Sequence, residues 1–206
     1  MISFDTAATK AGTNYLTEAE EKRLFSTIKS RRGDLARRDY VLLKICRSMG
    51  LRRGEALALN VGDVDGRDRL DVNNRIAEKG GVGDLYIPRD VQDLIRSFIR
   101  HKRRRGEAVS AEAPLFVSRK GARLSARSFN DLMDKWCEAA GLPRYTPHAL
   151  RHTKAQRIMA DMAVLAPEEQ LKKLMFVKRQ LRHKSINATA IYTGPTKEEM
   201  ARVADI

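Results

Sequence analysis

The sequence predicts a mainly α-helical domain that carries one small three-stranded antiparallel β-sheet. Apolar residues recur at helical spacing through most of the 206 residues, and capping residues, Pro and Gly fall where those stretches begin and end. One stretch departs from that texture: between residues 68 and 88, short β-prone runs surround a Gly-rich turn.

Residues 1 to 15 show no periodicity and read as a flexible arm. Thr17 stands three residues before Glu20, which is capping-box spacing, and Leu24, Phe25 and Ile28 then form a stripe on the first helix. That helix ends in the basic cluster from Lys29 to Arg32, before Gly33. A second helix is expected from about Arg37 to Met49, with Tyr40, Leu43 and Cys46 on one face and Gly50 as its C-terminal cap. A short helix near Gly54 to Leu59 follows. The three predicted strands are Leu70-Asp71-Val72, Arg75-Ile76-Ala77 and Leu85-Tyr86-Ile87-Pro88, with Lys79 to Gly83 as the turn.

Helix returns from Asp90, with Val91, Leu94, Ile95, Phe98 and Ile99 on one face, and finishes in the run Arg100 to Arg105. Such a run is ordinarily a solvated helix end, though it could touch phosphates. Leu115 to Val117 reads as a short extended piece. Ser125 caps a helix bearing Phe129, Leu132, Met133 and Trp136, which Gly141 ends; Trp136, on the apolar stripe, belongs to the core. Thr146-Pro147 opens the next helix, Pro167 another to about Arg182, Ile186 to Tyr192 a short one, and Thr196 with Glu199 a last one. No repeat or interdomain linker breaks the order, so a single domain is expected over 16 to 193, with 194 to 206 as a tail helix.

Composition narrows the function. The formal net charge is +14, a field that polyanions feel before contact, which makes nucleic acid the first partner to test. The longest apolar runs, Tyr40 to Leu43 and Met162 to Ala166, fall far below the ~18 to 20 residues that span a bilayer, so no membrane partner is expected. The N-terminus lacks the basic and apolar regions of a secretory signal, and a cytoplasmic location is expected. Cys46 and Cys137, with no second cysteine nearby, read as two buried thiols rather than a disulfide or zinc pair.

Four short segments carry chemistry. His148 and Arg151, three apart on the first turn of the helix opened by Pro147, put an imidazole and a guanidinium on one face at an anion-favouring helix end. A capping His and a surface Arg would look the same in isolation. Leu181-Arg182-His183-Lys184-Ser185 is followed by Tyr192, and from His148 to Tyr192 nine Lys or Arg face three acids. A tyrosine hydroxyl becomes a useful nucleophile only when cations and a base stabilise its anion, which this segment supplies. Tyr192 could equally be an aromatic packing residue before the turn at Gly194-Pro195. Upstream, Gly50-Leu51-Arg52-Arg53-Gly54-Glu55 places an Arg after a helix cap with a carboxylate three positions on, a spacing that orients a guanidinium. Lys79 sits in the predicted hairpin turn, where a solvated lysine is ordinary.

The order of these elements is specific where no single one is. Gly-Leu-Arg-x-x-Glu, a turn Lys, His-x-Leu-Arg-His, Leu-x-His-x-Ser-Ile and then Tyr resembles the catalytic signature of the tyrosine recombinases, the phage integrase family, over about residues 16 to 193. The resemblance implies the tyrosine recombinase catalytic-domain fold and gives Arg52, Lys79, His148, Arg151, His183 and Tyr192 the family's catalytic positions. Two departures stand out: Arg182 replaces the Gly that usually precedes the third-motif His, and the stretch around Met162 to Gln170 is longer than the family norm.

What the resemblance implies is site-specific cleavage and rejoining of double-stranded DNA through a 3′-phosphotyrosyl intermediate, in integration, excision or inversion. Tyr192 would attack, Arg52 and Arg151 would hold the non-bridging oxygens, His148 would accept the tyrosine proton, Lys79 would protonate the leaving oxygen, and His183 would hydrogen-bond the phosphate. No cofactor and no metal is implied, since the phosphodiester energy stays in the covalent intermediate. The implied assembly is a homotetramer on two DNA sites, monomeric when free, with the tail docking on a neighbouring subunit or on its own domain. About 15 residues precede Thr17, too few for the DNA-clamping domain usual in the family, as in short stand-alone recombinases of the fimbrial-switch type or a catalytic fragment. A non-cleaving DNA-binding regulator of the same fold and a type IB topoisomerase are the competing readings.

Overall fold

The structure, a computed structural model, describes residues 15–77 and 82–160 together with positions 169, 172 and 175. Helix α1 (Glu18–Ser30) begins at the predicted cap: Thr17 Oγ1 accepts from Glu20 N, and the Glu20 carboxylate accepts from Thr17 N at 2.8 Å. Leu24 and Ile28 are buried, while Phe25 packs edge-on against Tyr40 at 5.7 Å between centroids. Helix α2 (Asp34–Met49) starts three residues before its expected first residue, with Asp34 at its N-terminus bonded to His101 and paired with Arg105. It ends where predicted, at Gly50 in the left-handed conformation with φ 71°.

Helix α3 (Arg53–Ala58) and a 3-10 turn (Val61–Asp63) lead to a hairpin of β1 (Arg69–Val72) and β2 (Gly83–Tyr86). Their register sets Leu70 opposite Leu85, both fully buried. Among the described residues the sheet therefore has two strands and not the expected three. The run Arg75-Ile76-Ala77 is a turn, for a reason visible in its neighbours. Asn73 Oδ1 accepts from Arg75 N at 3.1 Å, and the Asn73 carbonyl accepts from Ile76 N and Ala77 N, so a side-chain-initiated turn replaces the ladder. Arg75 is meanwhile engaged by Asp63 and by the Ala58 carbonyl.

Helix α4 (Arg89–Arg104) buries Val91, Ile95, Phe98 and Ile99 as its stripe predicts. Its basic end is solvated at Arg100, Arg103, Arg104 and Arg105, as expected, but Lys102 is buried with its ammonium 2.8 Å from Glu107, and His101 and Arg105 both reach Asp34. The loop that follows pairs with the α3 exit through Val61 N to Ala113 O and Leu115 N to Leu59 O, so the extended piece near Leu115 forms isolated bridges rather than a strand. Gly62 is needed at this crossing, because a β-carbon there would lie 2.7 Å from that of Ala111.

Helix α5 (Ala126–Ala139) is capped by Ser125, and Gly141 follows it at φ 61°. Trp136 is core, as expected, and its indole N–H donates to Asp39 Oδ2 at 2.9 Å, joining α5 to α2. Helix α6 (Pro147–Ala160) packs on α2 and is pinned to the chain's N-terminal side by Leu16 N donating to the buried Thr153 hydroxyl at 2.9 Å. Cys46 and Cys137 are buried free thiols, as expected, and burial pushes both thiol pKa values up. No helix among the described residues is long and apolar enough to cross a membrane. The arm at 1 to 14, positions 78 to 81 of the hairpin, and the expected helices from Pro167, Ile186 and Thr196 lie outside the described residues, apart from the helical positions 169, 172 and 175.

Candidate active site

The left-handed turn at Gly50 brings the end of α2 into the start of α3, and α6 packs across this junction. Arg52 takes the N-cap position of α3, with extended backbone, and Glu55 is the third residue of that helix. The Glu55 carboxylate is wholly buried and accepts twice from one residue, from Arg52 N at 2.8 Å and from Arg52 Nη1 at 2.9 Å. Arg52 keeps 20% of its side chain open. A fully desolvated carboxylate thus fixes a guanidinium whose outer face remains available, which is the orienting role the sequence spacing suggests.

Arg151 reaches the same junction from α6. It is almost fully buried, and its Nη1 donates to the Gly50 carbonyl at 2.6 Å. That carbonyl belongs to the C-terminal end of α2, whose partial negative charge favours a cation. Arg52 and Arg151 are therefore anchored two residues apart on one stretch of backbone.

His148 lies one turn before Arg151 on α6 and is exposed on its outer side. Burial of its inner side, then the charges of Arg151 and Arg52, hold its pKa below the usual 6.5. The imidazole is accordingly neutral near pH 7, free to accept a proton. His152, one turn on, stacks edge-to-face on His148 with centroids 4.3 Å apart, and burial with the neighbouring His148 and Arg151 pushes its pKa down to about 4. Sequence reasoning did not give His152 a role. The signal was present in its four-residue spacing from His148 on one helix face.

Three of the six sequence-identified residues, Arg52, His148 and Arg151, are thus brought to one site, while Lys79, His183 and Tyr192 lie outside the described residues. Among the described residues there is no group of three or more His, Cys, Asp or Glu side chains placed to hold a metal ion.

Residues 14–199 match the model of the phage integrase family. The chain belongs to the phage integrase family. Among its relatives are tyrosine recombinases XerC of Roseiflexus castenholzii, 33% identical over 159 residues, and of Chromobacterium violaceum, 31% identical over 173 residues. These alignments take in 76% and 84% of this chain but 47% and 53% of the relatives, so the chain spans about half their length. The fold is shared with solved recombinases. A crystal structure of XerA recombinase matches with a TM-score of 0.69 at 21% identity, covering 98% of this chain and 66% of that one. A pre-cleavage complex of the XerH site-specific recombinase with its difH substrate matches with a TM-score of 0.70 at 23% identity, covering 94% and 54%.

Proposed function

We propose that this phage integrase family chain cleaves and rejoins double-stranded DNA, using the Arg52, His148 and Arg151 cluster to hold the reacting phosphate and Tyr192 to attack it. The observation that carries this reading is the pair of guanidinia fixed on one backbone junction beside a neutral, solvent-facing imidazole. Catalysis by stabilised charge needs donors already in place before the reaction, and both arginines are held by protein groups, Arg52 by Glu55 and Arg151 by the Gly50 carbonyl.

In this mechanism Tyr192 Oη forms a bond to phosphorus and the bond from phosphorus to the 5′-oxygen breaks, leaving a 3′-phosphotyrosyl link and a free 5′-hydroxyl. The phenolic proton passes to His148, and Lys79 supplies the proton that the departing oxygen takes up. Arg52, Arg151 and His183 hold the non-bridging oxygens. A 5′-hydroxyl from a partner strand then reverses the step, so integration, excision and inversion are outcomes of one chemistry. Residues 16 to 193 form the catalytic domain, and four copies act together on two DNA sites. The designation of both XerC relatives as tyrosine recombinases supports the same activity.

The test is to incubate the protein with a pool of duplex fragments, denature, recover DNA covalently bound to protein and sequence its trapped ends. Recovered fragments sharing one break position support the reading. Absence of any covalent adduct with the wild-type protein overturns it.

A further inference from the structure

The end of α2 opposite the active site gathers cations that the mechanism does not use. Asp34, the first residue of α2, is bonded through Oδ1 to His101 at 2.8 Å and through Oδ2 to Arg105 at 3.1 Å, which fastens the basic end of α4 beside it. The link from α1 to α2 arrives at the same place. Arg31 and Arg32 in that link, Arg37 in the first turn of α2, and Arg100, Arg103 and Arg104 in the last turns of α4 are all exposed. The three on α4 are spaced to share one face. The local acids are engaged, Asp34 as described and Glu107 by Lys102.

Two features separate this surface from an ordinary solvated face. Arg100 lies three and four positions before Arg103 and Arg104, and like charges at that spacing repel one another, a repulsion that a polyanion would relieve. All six of these side chains are Arg rather than Lys, and the planar guanidinium fork suits phosphate oxygens. The surface is also far from the reacting phosphate. Helix α2 has 16 residues, which at 1.5 Å each separate its two ends by about 24 Å. Along one strand of duplex DNA that distance corresponds to about seven phosphates.

We propose that this arginine-rich end of α2 and α4 is a second DNA-backbone contact, gripping phosphates about seven base pairs from the one held by Arg52 and Arg151. It rests on the reading above that the chain acts on duplex DNA. The contact is sequence-independent, so it sets affinity and orientation and not the choice of target.

The test compares the wild type with two charge-matched triple variants: Arg32→Gln, Arg103→Gln and Arg104→Gln together, and Lys22→Gln, Arg69→Gln and Arg89→Gln together. All six positions are exposed. Affinity for a random-sequence duplex of about thirty base pairs is measured between about 50 and 200 mM salt, with each variant's melting temperature recorded. The first triple is expected to flatten the slope of log affinity against log salt by about two to three, while the second leaves it within about one of the wild type. Equal slopes for the first triple and the wild type, or equal flattening by both triples, would overturn the proposal. Failure of the functional reading shows separately, as a wild type that binds DNA with the expected slope yet forms no covalent adduct.

Discussion

Arg151 on α6 donates to the carbonyl of Gly50, 101 residues earlier in the chain, at 2.6 Å. The glycine's left-handed conformation aims that carbonyl, so the cap of one helix sets the position of a guanidinium of the proposed site on another. Gly50→Ala is expected to cost about 1 to 2 kcal/mol of stability from backbone strain alone. It should also slow adduct formation by more than tenfold at a temperature where the variant stays folded. Thermal unfolding and a timed cleavage assay on the same preparation check both; a destabilised variant that cuts at the wild-type rate would separate Gly50 from the site.

Arg151→Lys keeps the charge and loses the fork. Adduct yield should fall by about 10² or more, in the range seen when one preorganised donor is removed from an oxyanion site. Binding of duplex DNA, measured by fluorescence anisotropy, should change far less than cleavage.

Glu55→Gln tests whether Arg52 depends on its buried partner. The variant retains shape and one acceptor but gives up the charge that meets both Arg52 groups, for an expected cost of about 1 to 3 kcal/mol. Cleavage should drop with it. Glu55→Asp should rescue neither property, because a carboxylate one methylene shorter cannot span from the Arg52 amide to its guanidinium.

The two depressed histidines predict the acid limb of stability. A histidine whose folded pKa lies below its unfolded value binds more protons unfolded, so its contribution is present above about 6.5 and is lost as pH falls through the folded pKa. For His152 that window runs from 6.5 down to about 4. His152→Gln should therefore flatten the decline of denaturant midpoint between those values. An unchanged pH profile in the variant would show that His152 does not carry the linkage. Because burial and the Arg151 and Arg52 charges also lower the pKa of His148, cleavage by the wild type should persist to a lower pH than a histidine of ordinary pKa would allow.

Local signals were the legible part of the fold. Thr17, Gly50, Ser125 and Gly141 each act within a few residues of themselves, and each starts or ends a helix as its chemistry dictates. What escaped the sequence depended on partners far along the chain or on competition between two local structures. Asp39 and Trp136 meet across 97 positions, and Leu16 reaches Thr153 across 137. The expected middle strand failed when Asn73 captured the backbone of the residues after it. In the site, Arg52, His148 and Arg151 were recognisable from motif order, but their convergence on the Gly50 junction is a tertiary fact that no local spacing encodes. His152 was overlooked because what marks it is a contact with another side chain, the His148 ring.

The most direct test of the account is the chemical identity of the covalent link. Protein captured on duplex DNA is digested with protease and nuclease, and the peptide bearing a nucleotide remnant is mapped by mass spectrometry in the wild type and in Tyr192→Phe. The account predicts a 3′-phosphonucleotide on Tyr192 in the wild type and no modified peptide in the variant. A remnant on any other residue, or an undiminished adduct from Tyr192→Phe, would contradict it.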